Sequence, residues 1–251
     1  MSKLSRGSWA SLLLLLALWQ VLAVSETVAF LPTPGKTLST LIAEAQSGEL
    51  WMHLGITLRR VAICFAVAML TGTLMGVAMG LSPKANAVLD PWLVVLLNVP
   101  ALVIIILCYL SLGLVEAAAL LAVILNKIPN VAVILREGSR SFDPSYTALA
   151  VSYRLPWGDR LRHILLPQLA PYLAAAARSG LALIWKIVLV VELLGRSNGV
   201  GFQLHSYFQL FDVAGILAYS LSFIVVVQGL EWSVLRPLER HATRWKPVPA
   251  L

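Results

Sequence analysis

The residues best placed to do chemistry in this chain are the few charged ones that fall inside long apolar runs: Lys127, Arg178, Lys186 and Glu192. A charge in hydrocarbon is costly, so such a group defaults to a paired position or to one that faces a solute pathway. Counted at about 100° per helical residue from Arg178, Lys186 falls at about 80° and Glu192 at about −40°, which puts all three on a stripe of roughly 120°. Arg178 lies near the end of its run, where a long side chain can reach the headgroups, and Glu192 lies near the opposite end. Lys127 sits mid-run and has no such escape. The remaining candidates are weaker. His53, His163, His205 and His241 are too scattered for metal-ligand spacing. Cys64 and Cys108 lie in apolar runs, where cysteine behaves as a small hydrophobe. Gly35-Lys36-Thr37 has the form of the end of a phosphate-binding loop, but the leading glycine would fall at position 30, which is Phe30. No set of nucleophile, base and oxyanion donors is visible, so no catalytic, metal or cofactor-binding residue is assigned.

What positions these groups is a set of membrane-spanning helices. Of 251 residues 59% are hydrophobic and only 12% charged, with a mean hydropathy of +0.84. That leaves too little polar material to coat a globule and excludes disordered and disulfide-scaffold classes. A span needs about 20 apolar residues, and six blocks meet or approach this, at 9–24, 61–81, 93–114, 117–135, 172–194 and 216–235. The fold class expected is all-α and polytopic with six transmembrane helices. Lys3 and Arg6 before a short leucine-rich run, with Ala23 and Ser25 beyond it, also fit a signal peptide. A retained helix is the preferred reading, because the chain returns to the membrane afterwards.

Orientation follows from the basic residues. With the N-terminus inside, the inner side holds twelve: Lys3, Arg6, Lys84, Arg136, Arg140, Arg154, Arg160, Arg162, Arg236, Arg240, Arg244 and Lys246. The outer side holds four, Lys36, Arg59, Arg60 and Arg196. Both termini are therefore expected on the cytoplasmic side of a multi-pass membrane protein. The net charge of +7 records this bias, and no basic run interleaved with aromatics calls for nucleic acid.

Three features of the spans and loops stand out. Gly72, Gly76 and Gly80 recur every fourth residue and would let another helix approach closely. Asn98 and Pro100 in the third span, and Asn126, Lys127, Pro129 and Asn130 in the fourth, mark spans that face protein or a cavity. Between the fourth and fifth spans, residues 136–171 are too polar to cross. Asp143-Pro144 opens a short helix there, over 145–153. Pro156 breaks it and opens a second, over 157–166, which Pro167 ends.

That loop carries a family pattern. Ala148-Leu149-Ala150, then Arg154, then Ile164-Leu165-Leu166-Pro167 resembles the cytoplasmic loop of ABC-importer permeases: Glu-Ala-Ala, three residues, Gly, nine residues, Ile, any residue, Leu-Pro. The rest of the chain is similar to the nitrate/sulfonate/taurine branch. It shows Leu31-Pro32-Thr33-Pro34, Ser47-Gly48-Glu49-Leu50-Trp51 with His53, Thr57-Leu58-Arg59-Arg60, Met79-Gly80-Leu81-Ser82, Leu89-Asp90-Pro91, and a stretch from Trp185 to Glu192 followed by Gly199-Val200-Gly201. There are departures. The usual Glu is Ala148 and the usual Gly is Arg154, a residue that enters the left-handed conformation only at a cost, so the bend is assigned to Pro156. A proline-rich stretch ending in Trp-Phe-Gly reads Tyr109-Leu110-Ser111-Leu112-Gly113 instead, and Lys127 is out of pattern.

The resemblance implies a permease subunit of type I importer fold, divided into an N-terminal transmembrane helix (1–24), an outer loop with an amphipathic segment (25–60) and a five-helix core (61–251) with its coupling loop at 136–171. It implies a second permease copy in a homodimer, ABC ATPase subunits that bind the ATP and magnesium, and an extracytoplasmic solute-binding protein. The coupling residues are then Ala148, Leu149, Ala150, Arg154, Leu155, Pro156, Leu161, Ile164 and Pro167. A pathway through the third, fourth and fifth spans would use Asn98, Asn126, Lys127, Trp185, Lys186 and Glu192. Two buried lysines per protomer favour a small anionic solute such as a sulfonate, taurine or nitrate. A stand-alone secondary carrier and a non-transporting scaffold or sensor partner are the competing readings, the first weakened by the absence of an inverted repeat.

Overall fold

A computed structural model describes residues 6–25 and 30–237, and every regular element among them is helical. Lys3, Arg240, His241, Arg244 and Lys246 lie outside the described residues. The first helix, α1, is Arg6–Val24. Next comes α2, Pro34–Ser47, where Thr33 caps the start by accepting from the Lys36 amide (3.3 Å) and Pro34 fills the first turn. Gly48, at φ 87°, ends α2 in a left-handed turn and starts α3, Glu49–Leu81. The segment read as an outer loop up to residue 60 is thus largely helical, and Arg59 and Arg60 belong to α3. At about 1.5 Å per residue the 33 residues of α3 extend about 50 Å, well past a hydrocarbon core.

The expected third span is not one helix. It divides into α4, Pro83–Asn98, and α5, Ala101–Leu112, which meet at 98°. Pro100 has no amide to continue the ladder and forces Val99 to an extended ψ of 125°, so the break falls where the sequence places its proline. α6 is Glu116–Arg140, with Pro129 inside it. Then come α7, Pro144–Ser152, and α8, Trp157–Arg160. A π turn, Leu161–Leu165, leads into α9, Leu166–Gly195. Pro167 therefore does not stop a helix. It sits in the first turn of α9, where its missing amide costs nothing, and the long helix begins before position 172. The chain finishes with α10, Val200–Gln209, and α11, Val213–Leu230, which passes into a second π turn, Glu231–Leu235.

Four of these helices are long and apolar enough to cross a membrane, and the bent α4–α5 pair makes up to five, with Leu13–Val24 a shorter apolar helix. At the centre α3, α6 and α9 bury Cys64, Ala118, Ala122, Val123, Ile184 and Val188. A second apolar cluster, Val131, Leu135, Leu169 and Ala176, lies nearer the α7–α8 loop. Large apolar side chains such as Leu70, Leu74, Ile224 and Val225 face outward, the arrangement a lipid solvent favours.

The glycine row of α3 explains how tightly the centre is drawn. A Cβ at Gly72 would lie 2.6 Å from Val131 Cβ, one at Gly80 would lie 2.5 Å from Ser139 Cβ, and one at Gly76 would strike the Ala132 carbonyl. Two helix backbones touch here with almost no side-chain layer between them. Replacing Gly76 by Val should lower the melting temperature of the purified protein by about 5 °C or more, since the obstacle is backbone that cannot rotate aside. Gly55→Ala, at a site with nothing within 4 Å, should leave it unchanged or slightly higher.

Candidate functional site

Among the described residues, three polar sites within this apolar bundle bear on function. The largest lies at the end where α3 begins, α6 begins and α9 finishes. Arg60 is 1% exposed, and all five of its N–H donors meet an acceptor. Nε and Nη2 donate to the two oxygens of Glu116 (2.8 and 2.7 Å), a bidentate pairing. Nη1 donates to Glu192 Oε1 (2.8 Å) and to the Asn198 carbonyl (2.8 Å), and Nη2 also donates to Asn198 Oδ1 (2.5 Å). Glu192 is 0% exposed and is satisfied in turn by the Thr57 hydroxyl (2.9 Å) and the Gly201 amide (2.9 Å). Thr57 Oγ1 accepts from the Val200 amide (2.8 Å), and His53 Nδ1 accepts from the Gly199 amide (2.9 Å).

The glycines of Gly199-Val200-Gly201 are needed for this approach. Gly199 is at φ 107°, and a Cβ there or at Gly201 would collide with the Glu192 side chain. Arg196 adds a bond to the Leu114 carbonyl (2.5 Å) and an ion pair to Glu116 (3.1 Å). Beside this clasp, Glu44 on α2 accepts from Tyr207 (2.8 Å) and Tyr219 (2.9 Å). Burial, then the bond to the carboxylate, pushes the Tyr207 phenol up. Every strong group here is engaged with another, so the clasp joins helices and offers no free nucleophile. Among the described residues no three His, Cys, Asp or Glu side chains gather as a metal site.

The second site is Lys127, midway along α6. It is 1% exposed, and its Nζ has no hydrogen-bond partner. Its stem lies over Gly180 of α9, where a Cβ would come within 3.1 Å of Lys127 Cε and 3.9 Å of the Phe65 ring. An ammonium enclosed without an acceptor is an expensive arrangement in a folded protein.

The third is the α7–α8 loop. Asp143 caps α7 by accepting from the Ser145 amide (2.8 Å), which holds its carboxyl below the usual range, and its own amide donates to Gln168 Oε1 (2.9 Å) on α9. Gly138 packs against Tyr172, whose hydroxyl meets Ser141 Oγ at 2.7 Å. After α7 the Leu155 amide donates to the Ala150 carbonyl and the Arg154 amide to the Val151 carbonyl, both at 3.0 Å, with Arg154 at φ 48°. This is a Schellman turn with arginine where glycine is usual, at a cost of about 1 kcal/mol. The expectation that Arg154 would avoid the left-handed region is corrected: it makes the bend, and Pro156 instead sets the start of α8. Ala150, Ile164 and Leu165 face inward, while Leu149 (51% exposed) and Tyr153 (73%), four residues apart, face outward; Trp157 (65%) is exposed at the edge of the space between the loop and the bundle.

The structure places the remaining sequence candidates apart. The stripe of Arg178, Lys186 and Glu192 does not hold together. Glu192 is enclosed, Lys186 is exposed, and Arg178 is half exposed with Glu231 Oε1 at 3.9 Å. A helical wheel counts angles on one helix and cannot see that α3 brings its own arginine to Glu192. Lys186 is therefore not a buried charge in this chain. Trp185 is buried edge-on to Phe223 (5.7 Å). Asn98 turns back to the Val94 carbonyl (2.7 Å), and the Asn126 carbonyl accepts from Asn130 (3.3 Å). Ala148, Leu155, Pro156 and Leu161 are exposed on the loop. Arg60 and Thr57 were missed as partners of Glu192, and Glu116 as the second carboxylate on Arg60; the only signal was the Thr57-Leu58-Arg59-Arg60 run itself, whose arginines counted as loop charges.

If the clasp is a closed unit, removing one member must leave the others stranded. Arg60→Met should cost about 3–5 kcal/mol and reduce folded yield sharply. Combining it with Glu192→Gln should recover part of the loss, as a double-mutant cycle on thermal stability would show by a coupling energy well above the roughly 0.5 kcal/mol expected of independent sites.

Residues 68–233 match the family model described as "Binding-protein-dependent transport system inner membrane component". The chain is 31% identical over 249 residues to the putative aliphatic sulfonates transport permease protein SsuC of Bacillus subtilis (strain 168), covering 96% of this chain and 89% of that one. It is 29% identical to the taurine transport system permease protein TauC of Escherichia coli (strain K12), covering 95% and 89%. With the nitrate import permease protein NrtB of Synechococcus elongatus it shares 27% over 74% of this chain and 71% of that one. A solved structure described as an amino acid ABC transporter with histidines has the same fold, with a TM-score of 0.64, 18% identity, and coverage of 80% of this chain and 97% of that one.

Proposed function

Because this chain belongs to the family of binding-protein-dependent transport system inner membrane components, we propose that it is the membrane-spanning subunit through which an ATP-driven importer moves a small anionic solute. Membership makes it a multi-pass inner-membrane permease of an ABC transporter and not an enzyme. Everything beyond that is our reading. ATP and magnesium are handled by separate ATPase subunits, a soluble binding protein delivers the solute outside, and two permease copies enclose the pathway.

The observation that carries this reading is the α7–α8 loop. It is a pair of short helices fixed to α6 and α9 by Asp143, Gln168, Ser141 and Tyr172, with Leu149 and Tyr153 uncovered. A rigid bracket with an apolar outer face suits a partner that pushes on it, and its fixation to two spans lets that push tilt them between inward and outward openings. Lys84, Arg136, Arg140, Arg154, Arg160, Arg162 and Arg236 fall at this end of the bundle, and Lys36, Arg59, Arg60 and Arg196 at the other. That bias favours a cytoplasmic loop end and cytoplasmic termini.

The solute class rests on Lys127. An unpartnered ammonium between α6 and α9 suits a carrier of anions, and the relatives are described as permeases for sulfonates, taurine and nitrate. Asn126, Trp185 and Lys186 accompany it on the same two helices; Glu192, fully engaged in the clasp, supports the pathway more as scaffold than as lining. The non-transporting scaffold keeps one specific observation in its favour, Ala148 standing where the pattern that the loop resembles has glutamate. An ATPase that assembles without coupled uptake would select that reading, and uptake into liposomes without any ATPase would select a secondary carrier.

Leu149→Asp combined with Tyr153→Asp should abolish co-purification of the ATPase while the permease still inserts; a normal yield of complex would remove the loop from the interface. Lys127→Met should raise the melting temperature in detergent by removing a stranded charge, yet lower solute uptake at least tenfold, measured in proteoliposomes with the ATPase and binding protein present. Unchanged uptake would take Lys127 out of the pathway.

A further inference from the structure

The inward side of the α7–α8 loop is hollow. Between the loop and the ends of α3 and α6 lies a cavity of about 730 Å³, walled by Leu81, Phe142, Val151 and Leu165, with Arg160 and Ser152 at its polar part. Arg160 is the unusual member. Its Nε is buried without a hydrogen-bond partner, and its guanidinium lies 5.9 Å from the centre of the exposed Trp157 ring. The carboxylates around it are spent elsewhere. Asp90 pairs with Arg136, Glu137 with Arg136 and Arg140, Asp143 caps α7, and Asp159 lies toward His163. The cavity thus joins an uncompensated cation to an apolar wall.

Its height in the fold narrows the occupant. Leu81 is the last residue of α3, and Leu165 directly precedes α9, so the wall stands where the spans emerge. Tryptophan and arginine together at that level are the usual signature of a headgroup region, and basic pockets among span ends on the cytoplasmic side take anionic lipid headgroups. We propose that this cavity binds one anionic phospholipid, its phosphate on the Arg160 guanidinium and its acyl chain along Leu81, Phe142, Val151 and Leu165. The lipid then supports the loop from behind while its outer face stays free. The proposal takes from the function above only that the loop end lies in the cytoplasmic leaflet, and its test needs neither ATPase nor transport.

The test is native mass spectrometry of the full-length permease released from nanodiscs made of phosphatidylglycerol and phosphatidylcholine with matched acyl chains. The wild type should retain one phosphatidylglycerol in preference to phosphatidylcholine. Arg160→Gln should reduce that preference about fivefold, the ratio given by about 1 kcal/mol for one basic side chain at an anionic leaflet. Val151→Trp, which fills the cavity and keeps the charge, should reduce retention of both lipids, and Arg162→Gln, an exposed charge on the same loop, should change neither. Equal retention by wild type and Arg160→Gln, or an equal loss in Arg162→Gln, overturns the proposal. Displacement of the lipid by millimolar glycerol phosphate would mean a free phosphate site and overturns the lipid assignment. Loss of ATPase assembly in Arg160→Gln with lipid retention unchanged would mean that an acidic segment of the partner fills the cavity, and also overturns it.

Discussion

Arg60 brings a permanent charge into a place from which water is excluded, and the bundle is organised around satisfying it. Its five donors reach Glu116 at the start of α6, Glu192 near the end of α9 and Asn198 in the turn before α10. Because a guanidinium is planar and its donors are fixed in direction, the acceptors cannot drift independently. Three helices and a connecting turn are therefore set to one another at this end by a single side chain. Glu192 then extends the arrangement through Thr57 and Gly201 into α10. The apolar core below could in principle slide, since hydrocarbon is no worse a neighbour than another leucine; the clasp supplies the direction that apolar packing between helices in a membrane lacks.

The two ends of the bundle are built on different principles. One is closed by charge, with every donor of Arg60 met and glycine required where the backbone approaches a carboxylate. The other carries a loop held by a few neutral bonds, a left-handed arginine, apolar side chains on its outer face and a cavity behind it. Between them lies Lys127, the ionisable side chain that neither arrangement satisfies. Along α6 the order is therefore the charged clasp at Glu116, the unpartnered ammonium at Lys127, and the loop beyond Arg140.

Much of this was legible in the sequence, and the failures have physical causes. Hydropathy located the spans because the bilayer demands about 20 apolar residues whatever the fold. The glycine spacing of α3 predicted a close helix contact, and the contact is there with α6. The loop helices were readable from Asp143, Pro144 and Pro156. What could not be read was pairing between distant segments. Arg60 looked like a loop charge because nothing local shows that Glu116 and Glu192 will meet it. The α4–α5 break was hidden because the apolar run is continuous through Val99 and Pro100, and hydropathy carries no information about direction. At Arg154 the conformation was inferred from the residue's own preference, but the two backbone bonds that close the turn outweigh a penalty of about 1 kcal/mol.

The glycine row on α3 has a mechanical meaning. Where two backbones touch at Gly72, Gly76 and Gly80, there is no layer of flexible side chains to absorb displacement. The joined pair α3–α6 behaves as a stiff lever whose arm is about 50 Å long. Over that length, a tilt of a few degrees corresponds to a displacement of several ångströms at the far end. The smallest residue thus sets how stiffly the pair is joined: a single methyl group in that seam would force the two backbones apart.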